Sequence, residues 1–463
     1  MQELKKLSKR QLILMILELQ QQIAELKAEV ARLRKDSSNS SKPPSSDIVK
    51  PPRPTPQDQT LARRIGAQLG HPKHQRQPFP SHQIDQTELY TLLRCPDCGG
   101  PVRRSPQPAR VIQQAELVEK PIQITEHRAL AYWCPRCGKV HHAPLPPQVQ
   151  KGGLVGPRLT AFCAYLKGAA HVSYSGVQQI LQDVIGLPLC RGQMVKLIGK
   201  TSRALEGGYQ QLQARLPCEP KLNVDETGHP EKGQGLWTWC FRAERFTWFK
   251  IDPSRGSQVL LEVLGAEFNG VLGCDYFSAY RKYMKDFGVE VQFCLAHLIR
   301  EVKFLTTLAD PRTRAYGQRL LDKLRDLFGI IHRRDSMSAS GFQRALEGAR
   351  QAVIATGQRA PCRSEAQNLA QRFRQHGAAY FRFITTPGVA PTNNLAEQAI
   401  RFVVIDRRLT QGTRGPAGRR WCERIWTVIA TCAQQGRSVF EYLHTAILAN
   451  FRGLPAPSLL DSS

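Results

Sequence analysis

The sequence predicts a multidomain α/β protein, in which an N-terminal helix and a cysteine-containing domain precede an α/β core with a helical insertion. The chain has 463 residues, which corresponds to about three domains of roughly 150 residues each. The predicted strands of the core are short β-rich runs at 221–227, 236–243, 246–251 and 270–274, with helical patterns and one more strand at 289–294 after them. Two Cys-x-x-Cys pairs lie upstream of these runs, and strands are predicted between the pairs at 109–119 and 123–133. Apolar residues make up 41% of the chain, which is enough to build a sizeable core.

The chain is strongly basic. Lys and Arg number 65, Asp and Glu number 38, and the formal net charge is +27. Such an excess attracts polyanions, so we expect nucleic acid as the partner, and an anionic membrane surface is the competing interpretation. No apolar stretch reaches the roughly 18 residues needed to span a bilayer, and the N-terminus has no signal-peptide pattern. The 13 cysteines fit a reducing compartment. We expect a soluble, cytoplasmic protein that does not bind a membrane.

Residues 1–35 are predicted to form one helix. Its apolar residues are spaced alternately four and three apart and are Leu12, Ile16, Leu19, Ile23, Leu26, Val30 and Leu33. This seam has β-branched residues at a and leucine at d, which favours a parallel coiled-coil dimer. The alternative is an amphipathic helix packed on its own protein. Residues 36–80 are rich in Ser, Pro and basic residues and are predicted to be a linker.

Four cysteines form two matching pairs within a predicted zinc-ribbon-like domain at 81–147. Cys95 and Cys98 enclose Pro-Asp, Cys134 and Cys137 enclose Pro-Arg, and a glycine follows each pair. Such knuckles point two thiolates at one metal, so the four cysteines predict a closed, structural Zn²⁺ site. The spacing between the pairs exceeds the usual roughly 15–20 residues, which a β-hairpin insert would explain. Two redox motifs or four free cysteines are the alternatives.

Three carboxylates are placed where a metal site would need them. Asp225 ends the apolar run 222–224, Asp275 ends the run 270–274, and Glu397 lies on a predicted helix. Phosphoryl transfer on DNA commonly uses two metal ions, and Mg²⁺ (or Mn²⁺) prefers oxygen ligands from converging elements. Two strand-end aspartates and a helix glutamate describe a ribonuclease-H-like catalytic core.

Other acidic and aromatic residues of the predicted core are expected to have roles outside the metal site. Taken singly, an acidic residue is more often a surface or capping group than a ligand. Glu226 is an alternative ligand, but strand alternation points its side chain away from that of Asp225. Asp406 lies among arginines and is expected to form an ion pair. Tyr280 is expected to pack rather than to act as a nucleophile, and Trp237, Trp239 and Trp248 are expected in the core.

Five ordered segments resemble those of insertion sequence 66 family transposases. They are 39–47 (NSSKPPSSD), 224–228 (VDETG), 274–280 (CDYFSAY), 294–300 (CLAHLIR) and 391–401 (PTNNLAEQAIR). The resemblance covers nearly the whole chain. It implies a DNA transposase of the DDE type whose triad matches Asp225, Asp275 and Glu397.

The resemblance implies further features. The stretch between Asp275 and Glu397 resembles the helical insertion of some related transposases. Cys294 and His297 match a Cys-x-x-His motif, which suggests that His297 contacts DNA near the scissile phosphate; a helix-start histidine satisfied by its neighbours is the alternative. The family often has Glu-Arg where this chain has Glu397-Gln398. The glutamine weakens a charge contact, but the metal ligand Glu397 is retained. The resemblance also suggests accessory proteins encoded by the same element.

A run of arginines follows the predicted catalytic helix. Its predicted DNA-binding members are Arg401, Arg407, Arg408, Arg414, Arg419 and Arg420, and Arg424 ends the run. Arginine suits bidentate phosphate contacts, so this run is predicted to grip the element end or the target DNA. A solvated basic face is the alternative. Gly412, Gly415 and Gly418 predict that part of the run is a flexible loop.

The predicted organisation is a set of consecutive segments. They are a coiled-coil helix at 1–35, a linker at 36–80, a zinc-binding domain at 81–147, a helical DNA-binding or connecting region at 150–215, catalytic core at 216–300 and 386–440, a helical insertion at 301–385 and a C-terminal segment at 441–463. The predicted function is two-metal DNA transposition by a homodimer or higher oligomer that binds element ends and target DNA. A non-catalytic DNA-binding regulator with a decayed core is the alternative, and a ribonuclease H or junction nuclease would share the core.

Overall fold

The computed structural model describes residues 9–33, 77–94, 96–118, 121–137 and 139–460. The linker predicted at 36–80 lies largely outside the described residues. The chain divides into two compact units, one formed by residues 52–125 and the other by the rest of the chain.

Helix α1 spans Lys9–Leu33, within the helix predicted at 1–35. Three residues of the predicted seam, Ile16, Leu19 and Ile23, are about half exposed. The side chains of its other four members lie outside the described residues. The parallel dimer therefore stays a prediction.

The unit at 52–125 has little regular structure in its described part. A 3-10 turn spans Ser81–Gln83, Arg94 bridges Pro101, and the Gln113 side chain bonds both backbone groups of Phe79. The strand predicted at 109–119 is wrong, because 109–118 has no strand. A strand requires a partner for its backbone groups, and this apolar run stays exposed.

The larger unit contains a short hairpin after residue 126. Strand β1 (Ala131–Cys134) pairs antiparallel with β2 (Lys139–His142). The longer strand predicted at 123–133 is thus wrong for 123–130, where no strand forms. Only the last residues of the run find a partner, which the turn after Cys134 brings back alongside them.

Five helices follow this hairpin and form the helical region expected at 150–215. They are α2 (Pro147–Gly152), α3 (Pro157–Gly168), α4 (Tyr174–Asp183), α5 (Arg191–Ala204) and α6 (Glu206–Arg215). Proline opens α2 and α3, where its missing N–H costs nothing. The Ser173 hydroxyl caps α4. Apolar side chains between these helices, such as Val177, Leu181 and Met194, form a cluster of their own.

A five-stranded sheet follows, and its strands were all expected from the sequence. The strands are β3 (Lys221–Glu231), β4 (Gln234–Arg242), β5 (Thr247–Asp252), β6 (Val271–Cys274) and β7 (Glu290–Phe293). Their order is β5-β4-β3-β6-β7. The first three strands are antiparallel, and β6 and β7 run parallel to β3. Trp239 and Trp248 are buried in the core as predicted, and Trp237 is half-buried.

The remaining elements are helices. They are α7 (Ser257–Leu264), α8 (Ser278–Phe287), α9 (Leu295–Thr306), α10 (Pro311–His332), α11 (Ala339–Gln358), α12 (Ser364–His376), α13 (Arg382–Thr385), α14 (Asn394–Thr410), α15 (Pro416–Gln435) and α16 (Val439–Arg452). The Asp310 carboxylate caps α10, and the Ser438 hydroxyl caps α16. No described helix combines the length and the apolar character that crossing a membrane requires.

Helix α15 covers the outer edge of β5 with side chains rather than with another strand. Glu423, Thr427 and Thr431 are spaced four apart and therefore share one helix face. They accept hydrogen bonds from the backbone N–H groups of Ile251, Phe249 and Thr247, at 2.7, 3.1 and 3.2 Å respectively. At the opposite edge, the Gln292 side chain of β7 bonds the backbone of Tyr380 and Phe383. Both outer strands are thus covered.

Candidate catalytic site

The two predicted aspartates lie at the same level of two neighbouring strands. Strands β3 and β6 are parallel, and Asn223 pairs with Gly273. Asp225 and Asp275 each lie two residues beyond that pair. Asp275 lies at a strand end as predicted, but the strand end predicted at Asp225 is wrong, because β3 continues to Glu231 through its pairing with β4. Because side chains alternate along a strand with a period of two, the two carboxylates project to the same side. The structure therefore brings together the aspartates that the sequence predicted.

Glu397 reaches this point because the start of α14 is fixed to β3. The side chain of Asn393, immediately before the helix, donates to the Val224 carbonyl at 2.8 Å. The Asn223 side chain donates to the Asn393 side-chain oxygen at 2.9 Å. Asn393 is fully buried, and Glu397 follows one helical turn later. An asparagine directly before the helix that carries Glu397 was the one signal in the sequence that pointed to Asn393.

A glycine in β6 makes room for this asparagine contact. A Cβ atom built on Gly273 would lie 2.6 Å from the Asn223 side-chain nitrogen. Any larger residue there would push Asn223 away from Asn393. The close approach of β3, β6 and α14 therefore depends on a residue without a side chain.

The carboxylates perturb one another electrostatically. Burial raises the pKa of Asp225 well above its usual range, and the nearby negative charges of Glu226, Asp275 and Glu397 raise it further. Burial, followed by the charge of Glu226, raises the pKa of Asp275 to about 7. Among the described residues, no Lys or Arg lies within ion-pair distance of Asp225 or Asp275. A divalent cation would relieve this crowding, in which Asp225 and Asp275 have no basic residue at ion-pair distance.

This crowding leads to a prediction about stability. The folded-state pKa of Asp275 is about 7, above its ordinary 3.8, so ionising it costs folding free energy as pH rises between these values and at higher pH. In buffer free of divalent cations, Asp275→Asn is expected to raise the melting temperature at about pH 8, with a smaller gain at about pH 5. Thermal unfolding at both pH values checks this. Equal gains at both would contradict it.

His297 and Cys294 lie beside Glu397. The Cys294 thiol accepts the Asn393 backbone N–H at 3.1 Å, so α9 and α14 start next to each other. His297 Nδ1 lies 3.6 Å from Glu397 Oε1, and Arg300 Nη2 lies 3.8 Å from the other carboxylate oxygen. Burial lowers the pKa of His297, and Glu397 partly opposes that. The imidazole is therefore neutral near pH 7.

Glu226 is engaged by its own partners. It is buried, it accepts two hydrogen bonds from Arg255 at 3.0 and 2.8 Å, and it accepts the Tyr280 hydroxyl. The Arg255 guanidinium also lies over the rings of Trp237 and Phe277, at 4.4 and 3.9 Å from their centroids. Tyr280 is fully buried, which agrees with its predicted packing role.

Some arginines of the predicted DNA-binding run are exposed, and others bind groups within the protein. Arg401, Arg408, Arg414 and Arg420 are exposed. Arg407 instead donates to the Thr227 hydroxyl at 2.8 Å and to the Gly228 carbonyl, and Arg419 pairs with Glu231 at 3.3 Å. Arg424 is buried and binds Ser202 and Glu206. The sequence could not separate these groups, because a charge pattern does not reveal partners distant in the chain.

The structure gives the details of two expectations about this run. Asp406 pairs with a distant histidine: it is buried, its carboxylate lies 2.9 Å from His171 Nδ1, and it accepts the Trp426 indole N–H at 2.9 Å. The predicted loop lies between α14 and α15 and contains Gly412 and Gly415, whereas Gly418 lies within α15. Its flexibility stays a prediction, and its Thr413 backbone N–H donates to the Pro230 carbonyl at 3.1 Å. Gly412 has a φ of +80° and fits against Pro230 without room for a Cβ.

The predicted zinc ligands that the structure describes lie in turns or next to one. Cys134 ends β1, and Cys137 lies in the turn between β1 and β2. A hydrogen bond from the Cys137 backbone lowers the pKa of the Cys134 thiol, as a metal-binding knuckle requires. Cys98 is exposed, and Cys95 lies outside the described residues. His141, which the sequence analysis did not consider, lies 3.4 Å from the Cys137 sulfur.

Two proteins of Sinorhizobium fredii are similar in sequence to this chain, and the name of neither states an activity. "Uncharacterized protein y4qI" of Sinorhizobium fredii is 22% identical over 355 residues, which is 69% of this chain and 64% of that protein. "Uncharacterized protein y4hP" of the same organism is 21% identical over 396 residues, or 77% of this chain and 70% of that protein. The chain thus spans just under two thirds of the length of y4qI.

Sequence profiles of families identify the chain more directly. Residues 2–77 match a family of unknown function, DUF6444. Residues 93–138, which include all four paired cysteines, match the zinc-finger binding domain of transposase IS66. Residues 152–420, more than half of the chain and including Asp225, Asp275 and Glu397, match the transposase IS66 family. The chain therefore belongs to the IS66 family of transposases.

Proposed function

We propose that this chain is a DDE-type DNA transposase whose Asp225, Asp275 and Glu397 hold two Mg²⁺ (or Mn²⁺) ions. The observation that carries the proposal is the meeting of Asp225, Asp275 and Glu397, which come from β3, the end of β6 and α14. Their charges raise the pKa of Asp225, and carboxylate oxygens are the ligands that these cations prefer. The bound ions would stabilise charge on the attacking and leaving oxygens.

The order of the sheet supports a ribonuclease-H-like core. The three antiparallel strands lie next to two strands that run parallel to β3. Asp225 lies within β3, and Asp275 directly follows the adjacent strand β6. Helices α10 to α13 lie within the proposed helical insertion at 301–385. The proposed boundaries of the segments remain those given by the sequence.

The reaction has two steps in this proposal. A water oxygen attacks the phosphorus at the element end, and the bond to the 3′ oxygen breaks to leave a 3′ hydroxyl. That hydroxyl then attacks a phosphorus of the target DNA in line. The new bond joins the element end to the target 5′ phosphate, and the bond from that phosphorus to the target's 3′ oxygen breaks to leave a 3′ hydroxyl. His297 is neutral near pH 7 because burial lowers its pKa, so it can hydrogen-bond to a phosphate next to the scissile bond. Tyr280 takes no part, since its hydroxyl is buried against Glu226.

A strand-transfer assay on the cognate ends, with and without Mg²⁺, tests the proposed function. Magnesium-dependent joining is the expected result. Binding of the ends without joining would instead favour the non-catalytic regulator. Preferential cleavage of RNA–DNA hybrids or of DNA junctions would favour the nuclease alternatives, which share the proposed core but do not account for the zinc-finger segment.

The exposed arginines are proposed to contact DNA phosphates. Arg408→Ala and Arg414→Ala are each expected to remove about one phosphate contact. The slope of the logarithm of the binding constant against the logarithm of the salt concentration should then become shallower by roughly 0.9. Binding measured across a range of salt concentrations checks this. Arg424→Ala is the control: it is expected to leave the slope unchanged and to cost about 1–3 kcal/mol of stability by exposing a buried hydrogen-bonded network. Unchanged slopes in the two exposed variants would contradict the assignment.

The paired cysteines are proposed to hold one structural Zn²⁺. Elemental analysis of protein purified without chelators is expected to find about one zinc per chain. Cys134→Ser is expected to lower that content substantially, whereas the exposed Cys362, remote in sequence from the zinc-finger segment, provides the control variant Cys362→Ser. Zinc-free wild-type protein would refute the site. Four protein ligands would leave no open position on the zinc for a substrate or water, which is typical of a structural site.

The proposed partners are the two element ends and the target DNA. Two ends must be held together for joining, and the apolar seam of α1 supports a homodimer or higher oligomer. Accessory proteins encoded by the same element are a further proposed partner.

A further inference from the structure

Cys294, His297 and Glu397 form a compact group of metal-binding side chains. One ligand atom from each lies within 4.8 Å of the others. Cys294 immediately precedes α9, His297 lies in the first turn of that helix, and Glu397 lies in the first turn of α14. The three donors are therefore held by the backbone at two adjacent helix starts.

Two atoms of this group have unmet hydrogen-bonding capacity. His297 Nδ1 and Glu397 Oε1 are buried, and neither has a hydrogen-bond partner among the described residues. They are 3.6 Å apart, which is too far for a hydrogen bond between them. Buried polar atoms without partners are uncommon and call for an explanation, such as an ion. Arg300 approaches the other oxygen of Glu397, at 3.8 Å, which leaves Oε1 on the side of the histidine.

We propose that Cys294, His297 and Glu397 bind a Zn²⁺ ion, and that zinc bound there withdraws Glu397 from Asp225 and Asp275. A thiolate, an imidazole and a carboxylate make a three-ligand zinc set with a fourth position open to water. The thiolate and imidazole favour Zn²⁺ over Mg²⁺, which takes oxygen ligands. On binding, the Cys294 thiol gives up its proton to solvent. This site is distinct from the four paired cysteines.

The consequence for activity rests on the proposed function. Glu397 belongs both to this group and to the proposed magnesium site. Zinc at the first site would compete for that ligand and inhibit magnesium-dependent strand transfer. The chain would then be active only where free zinc is scarce.

Cobalt absorption tests the site on the full-length chain, which is first stripped of metal and then given one equivalent of Zn²⁺. The four paired cysteines take this zinc first because they offer more thiolates, and the Cys294 group is left open to cobalt. Added Co²⁺ is expected to produce a thiolate-to-cobalt charge-transfer band that is absent from Cys294→Ser. Cys432→Ser, which alters a buried cysteine of α15, is the matched control and should keep the band. His297→Ala is expected to weaken cobalt binding by at least roughly 10–100-fold. That loss is typical of a residue that only orients a metal ligand, and the loss of a ligand itself should be no smaller. A wild-type chain without a Cys294-dependent band would overturn the site.

Two measurements keep the result interpretable. His297→Ala leaves the thiol in place, so it tests the site even if Cys294→Ser fails to fold. Zinc inhibition of strand transfer is measured as the ratio of rates with and without Zn²⁺ within each variant. The inhibitory zinc concentration is expected to rise at least about tenfold in Cys294→Ser, and an equal value in both proteins would overturn the withdrawal of Glu397. If no strand transfer occurs at all, the proposed function fails while the cobalt spectrum still decides the site.

Discussion

Asp275→Asn is expected to lower magnesium-dependent strand transfer by at least about a thousandfold, because metal-ion catalysis contributes several kcal/mol of transition-state stabilisation. The substitution removes a charge from the proposed metal site. It keeps the side-chain oxygen that accepts the Phe277 backbone N–H at 2.9 Å, so the turn after β6 should persist. Strand transfer by purified protein on the cognate ends, with DNA binding measured in parallel, checks this.

Asp286→Asn is the matched control for this variant. Asp286 lies on α8 and pairs with Lys282 at 2.7 Å, so the same chemical change there should leave strand transfer intact. Binding of the element ends is expected to survive in both variants. Wild-type rates of strand transfer in Asp275→Asn would remove Asp275 from the triad.

Asn393→Ala is expected to lower strand transfer by roughly 10–100-fold, the usual effect of losing a residue that orients a metal ligand. Its side chain fixes the start of α14 to β3 through Val224 and Asn223. Removing it also leaves buried polar groups unpaired, at a cost of about 1–3 kcal/mol of stability. We expect a higher magnesium requirement as well, because Glu397 is no longer held beside Asp225.

The neighbouring residue provides the control for this prediction. Asn394 is exposed at the start of the same helix, and Asn394→Ala should change neither the rate nor the magnesium requirement. The magnesium requirement separates positioning from simple instability, since a merely destabilised protein would lose active molecules without changing it. An unchanged magnesium requirement in Asn393→Ala would contradict the positioning role.

The strands and the two aspartates could be predicted because their signals are local. A β-rich run next to an aspartate predicts both the strand and the position of the carboxylate, within the strand at Asp225 and directly after it at Asp275. The runs at 109–119 and 123–133 have similar composition, yet most of their residues form no strand. Whether such a run forms a strand depends on whether another segment pairs with it. The composition of the run does not show that.

The rest of the site depends on contacts between distant parts of the chain. Asn393 acts through Val224, 169 residues away, and no pattern near residue 393 shows that contact. The same limit applies to Arg407, Arg419 and Arg424, whose partners lie far along the chain. The sequence pattern and the family resemblance both pointed to Glu397, whereas its position beside Asp225 depends on the packing of α14 on β3.

The covered edges of the sheet restrict how copies of this protein can assemble. The backbone N–H groups of Thr247, Phe249 and Ile251 are already bonded by α15, so a strand from a second copy has no open ladder to join at β5. The segment against β7 covers the other edge. A complex holding two DNA ends would therefore be joined by contacts other than strand pairing along the edges of this five-stranded sheet. Its subunits could rearrange between cutting and joining without disturbing the sheet that carries the aspartates.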